Sequence, residues 1–237
     1  MNHRMRIKLL PVLLWLLSIA GIFFALKTSN DPIVGVFRNT RIEPLFRQIS
    51  TGNSVIFGLS IGFLVSVIFY TLVVWYPERQ RKKLIRRNFE EQYRHFKEDT
   101  IAIFLLASTN GYDGDLPKRL SDQREFRKYF KERVDESQTR WDSVLNGLNK
   151  EFLKDLLVEL EILLSEVTFV LNNINIDDRN VFGFFKGLLQ TVYRLKNITP
   201  NEDVKQLSQF LWQLFAGWSS AEGYREYDIV EEMIKGI

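Results

Sequence analysis

Residues 54–76 contain no Asp, Glu, Lys or Arg, and this constrains the chain more than any other feature. An uncharged apolar run of about 18 residues or more is long enough to cross roughly 30 Å of hydrocarbon as a helix. No water reaches a bilayer core, so a spanning segment must satisfy its own backbone, and a helix does so. Trp75 and Tyr76 close the run where an aromatic belt belongs. Pro77 follows, and then Arg79, Arg81, Lys82, Lys83, Arg86 and Arg87. Such a cluster fixes the flank of a span on the cytoplasmic side. It also attracts anionic lipid head groups, by about 1 kcal/mol per basic residue.

A second uncharged run, 9–26, follows Arg4, Arg6 and Lys8 and only just reaches spanning length. No clear small-x-small site precedes Lys27, and the apolar stretch exceeds that of an ordinary signal peptide, so it reads as an uncleaved anchor. The expectation is a membrane anchor over 1–76, with transmembrane helices at about 9–26 and 54–76 and an external loop at 27–53. The Lys and Arg bias places both termini in the cytoplasm, at a plasma (inner) membrane. Lys27, Arg38, Arg41 and Arg47 in the loop weaken that bias without reversing it. The loop is punctuated by Pro32, Gly35, Pro44 and Gly52. It reads as a segment lying in the outer interface. A pore-lining segment is disfavoured, because the loop holds no TVGYG-like filter.

Ser54, Gly58, Gly62 and Ser66 recur four residues apart along the second run. That spacing puts them on one slowly drifting helix face, and such a face lets helices approach closely in lipid. Two uses follow. The face packs on the first span, where Gly21 and Ala25 form a shorter pair, or it forms the seam of a homo-oligomer.

The charge is unevenly divided. Residues 1–107 hold 15 Lys and Arg against 7 Asp and Glu, a balance of +8; residues 108–237 hold 17 against 22, a balance of −5. The basic character therefore belongs to the membrane-proximal part, and nucleic acid is an unlikely partner. There is no Cys and there are two His, far apart. Thiolate chemistry and Cys-ligated metals are excluded, and no cofactor or metal site is expected.

After Pro77 the spacing of Leu84, Ile85, Phe89, Tyr93 and Phe96 predicts an amphipathic juxtamembrane helix over 77–107. Its end, Ile101, Ile103, Phe104, Leu105 and Leu106, is expected to dock in a core. His95 is placed with Arg94 and Lys97 on the polar, solvated side. Residues 108–237 then predict a cytoplasmic helical domain. The break at 110–117 reads as a turn and only faintly resembles a calcium loop. Residues 120–134 read as a helix capped by Ser121, with Arg124, Arg127, Lys128 and Lys131 on one face. In 141–174 apolar residues step by three and four through Leu145, Leu148, Phe152, Leu156, Leu160, Leu163, Val167 and Val170. This stripe belongs at the centre of a bundle, and two helices meeting near Gly147 would account for it. Asp177 or Asp178 is expected to cap the following helix. There Gly183 and Gly187 are expected to permit close helix approach. Thr199-Pro200 ends that helix, Asn201, Glu202 and Asp203 open the next, 217–223 is a turn, and 227–237 closes the domain. The fold class is all-α: two transmembrane helices, a juxtamembrane helix, and a bundle of about five to six helices.

No residues are singled out as catalytic. Glu159 and Glu166 lie seven apart, but no His or third carboxylate stands at matching spacing, so they read as flank charges. The aromatic stretch containing Trp212, Phe215 and Trp218 is either a protein-partner patch or a second packed layer of the bundle. The expected function is a membrane-anchored interaction or sensor module that binds a protein partner and whose spans self-associate. An alternative of different class is a membrane-perturbing effector or small channel, a role such a shape would suit in bacterial antiviral defence.

Overall fold

The computed structural model of the chain describes residues 3–29, 43–46, 52–109, 111–196 and 203–237. It is all-α except for one small β-hairpin, and it divides into two compact units, Met1–Arg81 and Lys82–Ile237.

The N-terminal unit is a helical hairpin of α1 (His3–Thr28) and α2 (Asn53–Tyr70). Gly21 faces α2: a Cβ placed there would sit 3.3 Å from Leu64 Cδ2, a tight contact, and 3.4 Å from Phe63 Cδ1. One turn on, Ala25 and then Thr28 are buried, and the Thr28 hydroxyl is satisfied by donating to the Phe24 carbonyl at 2.6 Å. Between the two helices a 3-10 turn forms over Glu43–Phe46. The remaining expectations for the 27–53 loop, and those for 199–202, fall outside the described residues.

Helix runs unbroken over Asn53–Ser108 and contains an apolar window with mean hydropathy 2.3, none of it buried. By length and composition this is one helix able to cross a membrane. The first expected span is described for its side chains only over Leu13–Thr28, which is apolar but shorter. Within the long helix, Thr71–Trp75 is wound as a π-helix before α3 (Tyr76–Ser108) begins. The cause is Pro77. It has no N–H to give, and its ring would collide with the carbonyl four residues back. The backbone widens to avoid that collision, and the Tyr76 N–H reaches back to the Thr71 carbonyl, five residues away.

The C-terminal unit is organised on α3. Ile85, Phe89, Tyr93, Phe96, Ile101, Phe104 and Leu105 are all buried. The unit boundary falls at Arg81, inside the basic cluster, and α3 is a core element from Ile85 onward. Around it stand α4 (Leu116–Leu120), α5 (Gln123–Lys131), α6 (Arg140–Gly147), α7 (Lys150–Asn173), α8 (Arg179–Lys196), α9 (Asp203–Phe215), strands β1 (Trp218–Ser219) and β2 (Gly223–Tyr224), and α10 (Ile229–Lys235). Seven helices follow α3 among the described residues, where about five to six were expected. The difference arises partly at 116–131, where α4 and α5 are separate. Asp122, not Ser121, caps α5, accepting from the Arg124 and Glu125 amides at 2.8 and 3.1 Å. The Ser121 hydroxyl instead donates to the Pro117 carbonyl at the end of α4. The expected turn at 217–223 is an antiparallel hairpin pairing Trp218 with Tyr224. Gly217 and Gly223 at its ends take positive φ, 63° and 74°.

The 141–174 stretch does form two helices that meet near Gly147. Thr139 and Asp142 make a reciprocal capping box at the start of α6, and Asn149 caps α7 through the Glu151 and Phe152 amides at 2.9 Å. A Cβ on Gly147 would collide with the carbonyl of Ala107, so glycine there lets α3 and α6 close on each other. On α7 the buried residues are Leu156, Leu160, Leu163, Val167 and Val170. The helix is nonetheless not enclosed, because Val158, Ile162 and Phe169 are exposed on its far side.

Candidate functional site

The residues singled out in the sequence fall in several places. On α2, Ser54, Gly58, Gly62 and Ser66 are all exposed, and nothing lies within 4 Å of a Cβ built on either glycine. α1 packs on the Phe63 and Leu64 side instead. The Ser66 hydroxyl is satisfied within the helix by the Gly62 carbonyl at 2.8 Å, so the face offers close approach rather than an unmet hydrogen bond.

In the basic cluster, Arg79, Arg81, Lys83, Arg86 and Arg87 are exposed. The Arg79 guanidinium lies over the Trp75 ring, 5.1 Å from its centre. Lys82 has a structural task, donating to the Asn175 carbonyl at 2.8 Å. Two cations of α5 are similarly engaged. Arg127 donates to the carbonyls of Ala216 and Arg225 at 3.2 and 2.8 Å, and Lys131 sits 4.0 Å from the centre of the Tyr224 ring. His95 is exposed.

Of the aromatic trio, Phe215 is buried, stacked on Phe126 at 5.5 Å. Trp212 is half-buried, 5.1 Å from Trp141 and 5.8 Å from Phe126. These rings join one aromatic cluster in which Phe104 meets Phe130, Trp141 and Phe215 edge to face. Trp218 stands elsewhere, on β1, where it lines a groove of about 410 Å³ beside Gly183, Gly187 and Phe210. Gly183 and Gly187 are therefore not at a close helix contact. They form the open floor of that groove, with nothing within 4 Å of a built Cβ.

One constellation was missed in the sequence. Lys97 is 5% exposed and faces the core, not the polar side of α3. Its ammonium donates to Glu231 Oε1 at 2.6 Å, to Asp228 Oδ2 at 3.2 Å and to the Ser121 carbonyl at 3.2 Å. Tyr93, one turn earlier, donates to the same Asp228 carboxylate at 3.1 Å. Asp228 also caps α10 through the Val230 and Glu231 amides, at 2.9 and 3.2 Å. Burial first, and then the negative charge of Asp228, push the Tyr93 phenol well above its ordinary range. A lysine ammonium has three protons to give, and the three acceptors around Lys97 match them. The cluster locks α10 to α3. A polar cavity of about 230 Å³ opens beside it, bordered by Arg124, Glu226 and Lys235. The signal in the sequence was Lys97 standing four residues from both Tyr93 and Ile101, a cation inside an apolar stripe.

Glu159 and Glu166 are half-buried on α7. The Glu159 carboxyl is held above its ordinary range by desolvation and by the charges of Asp99 and Asp155. Among the described residues, no group of three or more His, Cys, Asp or Glu is placed to hold a metal ion. No family model, no curated protein and no solved structure matches this chain.

Proposed function

We propose that this chain is a membrane-anchored helical interaction module. In this reading α1 and α2 enter the bilayer as two spans with both termini cytoplasmic. Copies associate through Ser54, Gly58, Gly62 and Ser66, and the C-terminal unit binds a protein partner. Arg79, Arg81, Lys83, Arg86 and Arg87 meet anionic head groups at the cytoplasmic surface.

The observation that carries the reading is the open small-residue face of α2. Of the two uses the sequence allowed, packing against α1 is taken by Phe63 and Leu64. A glycine face in lipid gains by bringing another helix close, and no helix of the described residues fills it. The second copy of a span is the partner always at hand.

The test is the oligomeric mass of the full chain in neutral nanodiscs or detergent. A defined oligomer is expected, and Gly58→Ile with Gly62→Ile is expected to reduce it to monomer. An unchanged mass in the double variant would remove the seam. Dye-loaded liposomes carrying the protein are expected to stay sealed; leakage that the double variant abolishes would shift the reading to the effector or channel class.

A further inference from the structure

The outer side of α7 carries three exposed apolar residues among its polar ones. Val158, Ile162 and Phe169 are 46%, 45% and 47% exposed. At 100° per residue they lie within about 40° of one another, and about 140° from the centre of the buried stripe. With Ser165 and Asn172 they follow steps of four, three, four and three, the spacing of a coiled-coil seam. The chain thus carries a second, narrow seam on the back of a helix whose front is already packed.

One edge of the ridge is acidic: Asp155, Glu159 and Glu166 border it, while Glu161 and, at the N-terminal end, Lys154 border the other. Asp155, Glu159 and Glu166 enter no ion pair among the described residues. Asp99 of α3 stands close enough to Glu159 to raise its carboxyl further. These are the flanking positions that choose a coiled-coil partner by charge. A second α7 would bring carboxylates against carboxylates and is disfavoured by repulsion.

We propose that this ridge docks a basic amphipathic helix of a partner protein, with apolar residues at three- and four-residue steps and Lys or Arg on the flank that faces Asp155, Glu159 and Glu166. It rests on the reading that the C-terminal unit binds a protein partner, and it assigns the face and the chemistry of that partner. The apolar seam supplies area excluded from water, and the acidic edge supplies selection and steering.

The probe is a synthetic four-heptad peptide with Leu at the seam and Lys or Arg at the flanks, beside a matched peptide with Glu at the flanks. Each is titrated by fluorescence anisotropy against the full chain in phosphatidylcholine nanodiscs, with empty nanodiscs as blank. The basic peptide is expected to bind about tenfold or more tightly than the acidic one. Ile162→Glu is expected to weaken it by a similar factor, and Glu159→Lys with Glu166→Lys should reverse the preference between peptides. Equal binding of the two peptides, no binding of either, or indifference to Ile162→Glu would overturn the proposal. A doubled mass of the wild type that Ile162→Glu abolishes would also overturn it, assigning the ridge to a second copy. Hydrogen exchange in the same complex separates this from the broader reading. Protection on α7 supports the ridge; protection confined to another element removes the ridge and leaves a partner-binding unit standing.

Discussion

α2 and α7 are both long apolar helices, and the structure treats them in opposite ways. No residue of α2 is buried, and Leu59, Phe69 and Val55 are 71%, 66% and 63% exposed. α7 buries five of its residues along one side and keeps its carboxylates on the other. The amount of apolar surface does not separate them; its distribution around the axis does. A helix apolar on every side needs an apolar surrounding on every side, and among the described residues one helix, α1, packs beside α2. A one-sided helix can complete its environment within its own chain, and α7 does so in part with α8. The ridge of Val158, Ile162 and Phe169 makes α7 an intermediate case.

The largest effect should come where the C-terminal unit has no tolerance. Lys97→Ala leaves Asp228 buried without its cation, and the expected loss is about 3–5 kcal/mol of stability, measured by denaturant unfolding of the full chain. A loss below about 1 kcal/mol would show that water reaches the cluster. The comparison itself is tested by one substitution made twice. Leu163→Ala on α7 should cost about 2–5 kcal/mol, whereas Leu59→Ala on α2 should stay within about 0.5 kcal/mol in detergent. Equal costs would mean that α2 is packed by something other than the solvent around it.

Two titrations are smaller. The folded phenol of Tyr93 is raised above its unfolded value near 10. The folded state therefore holds that proton more tightly, and the associated stability is complete below about pH 10 and lost as pH rises beyond it. Tyr93→Phe should flatten this alkaline loss, while costing about 1–2 kcal/mol at neutral pH for the lost bond to Asp228. Glu159 gives the smallest effect. Its folded carboxyl is also raised, so stability falls as pH climbs through the carboxylate range. Glu159→Gln should remove that slope and leave neutral-pH stability unchanged or slightly higher.

Much of the helical layout was legible because it is local. The uncharged run of α2, the period of α7 and the junction at Gly147 are set by residues within a few turns of each other. What escaped is long-range or a contest between neighbours. Lys97 meets Asp228 and Glu231 more than a hundred residues away, and no local pattern says that α10 will supply them. Ser121 and Asp122 are both good caps, and the carboxylate takes the helix while the hydroxyl finishes the preceding one. Gly183 and Gly187 have the spacing of a close approach, but the groove walls of Phe184, Phe210 and Trp218 hold other elements off them. Trp212, Phe215 and Trp218 share one short stretch, yet the last stands past the turn at Gly217 and leaves the cluster the others join. The small-residue face of α2 was visible in sequence; which side α1 would choose was not, because Gly21 can seat Phe63 and Leu64 as readily as another glycine.

Position 147 gives evolution no room to drift. The space a side chain would take is filled by the main chain of Ala107, whose own side chain is irrelevant to the fit. A descendant of this sequence could exchange many exposed residues, but any residue other than glycine at 147 would part α3 from α6. In a distant homologue the surviving mark of ancestry would then be one glycine at the end of a short helix, opposite a backbone rather than a side chain. A lineage search weighted by side-chain likeness would discount it as an ordinary helix stop.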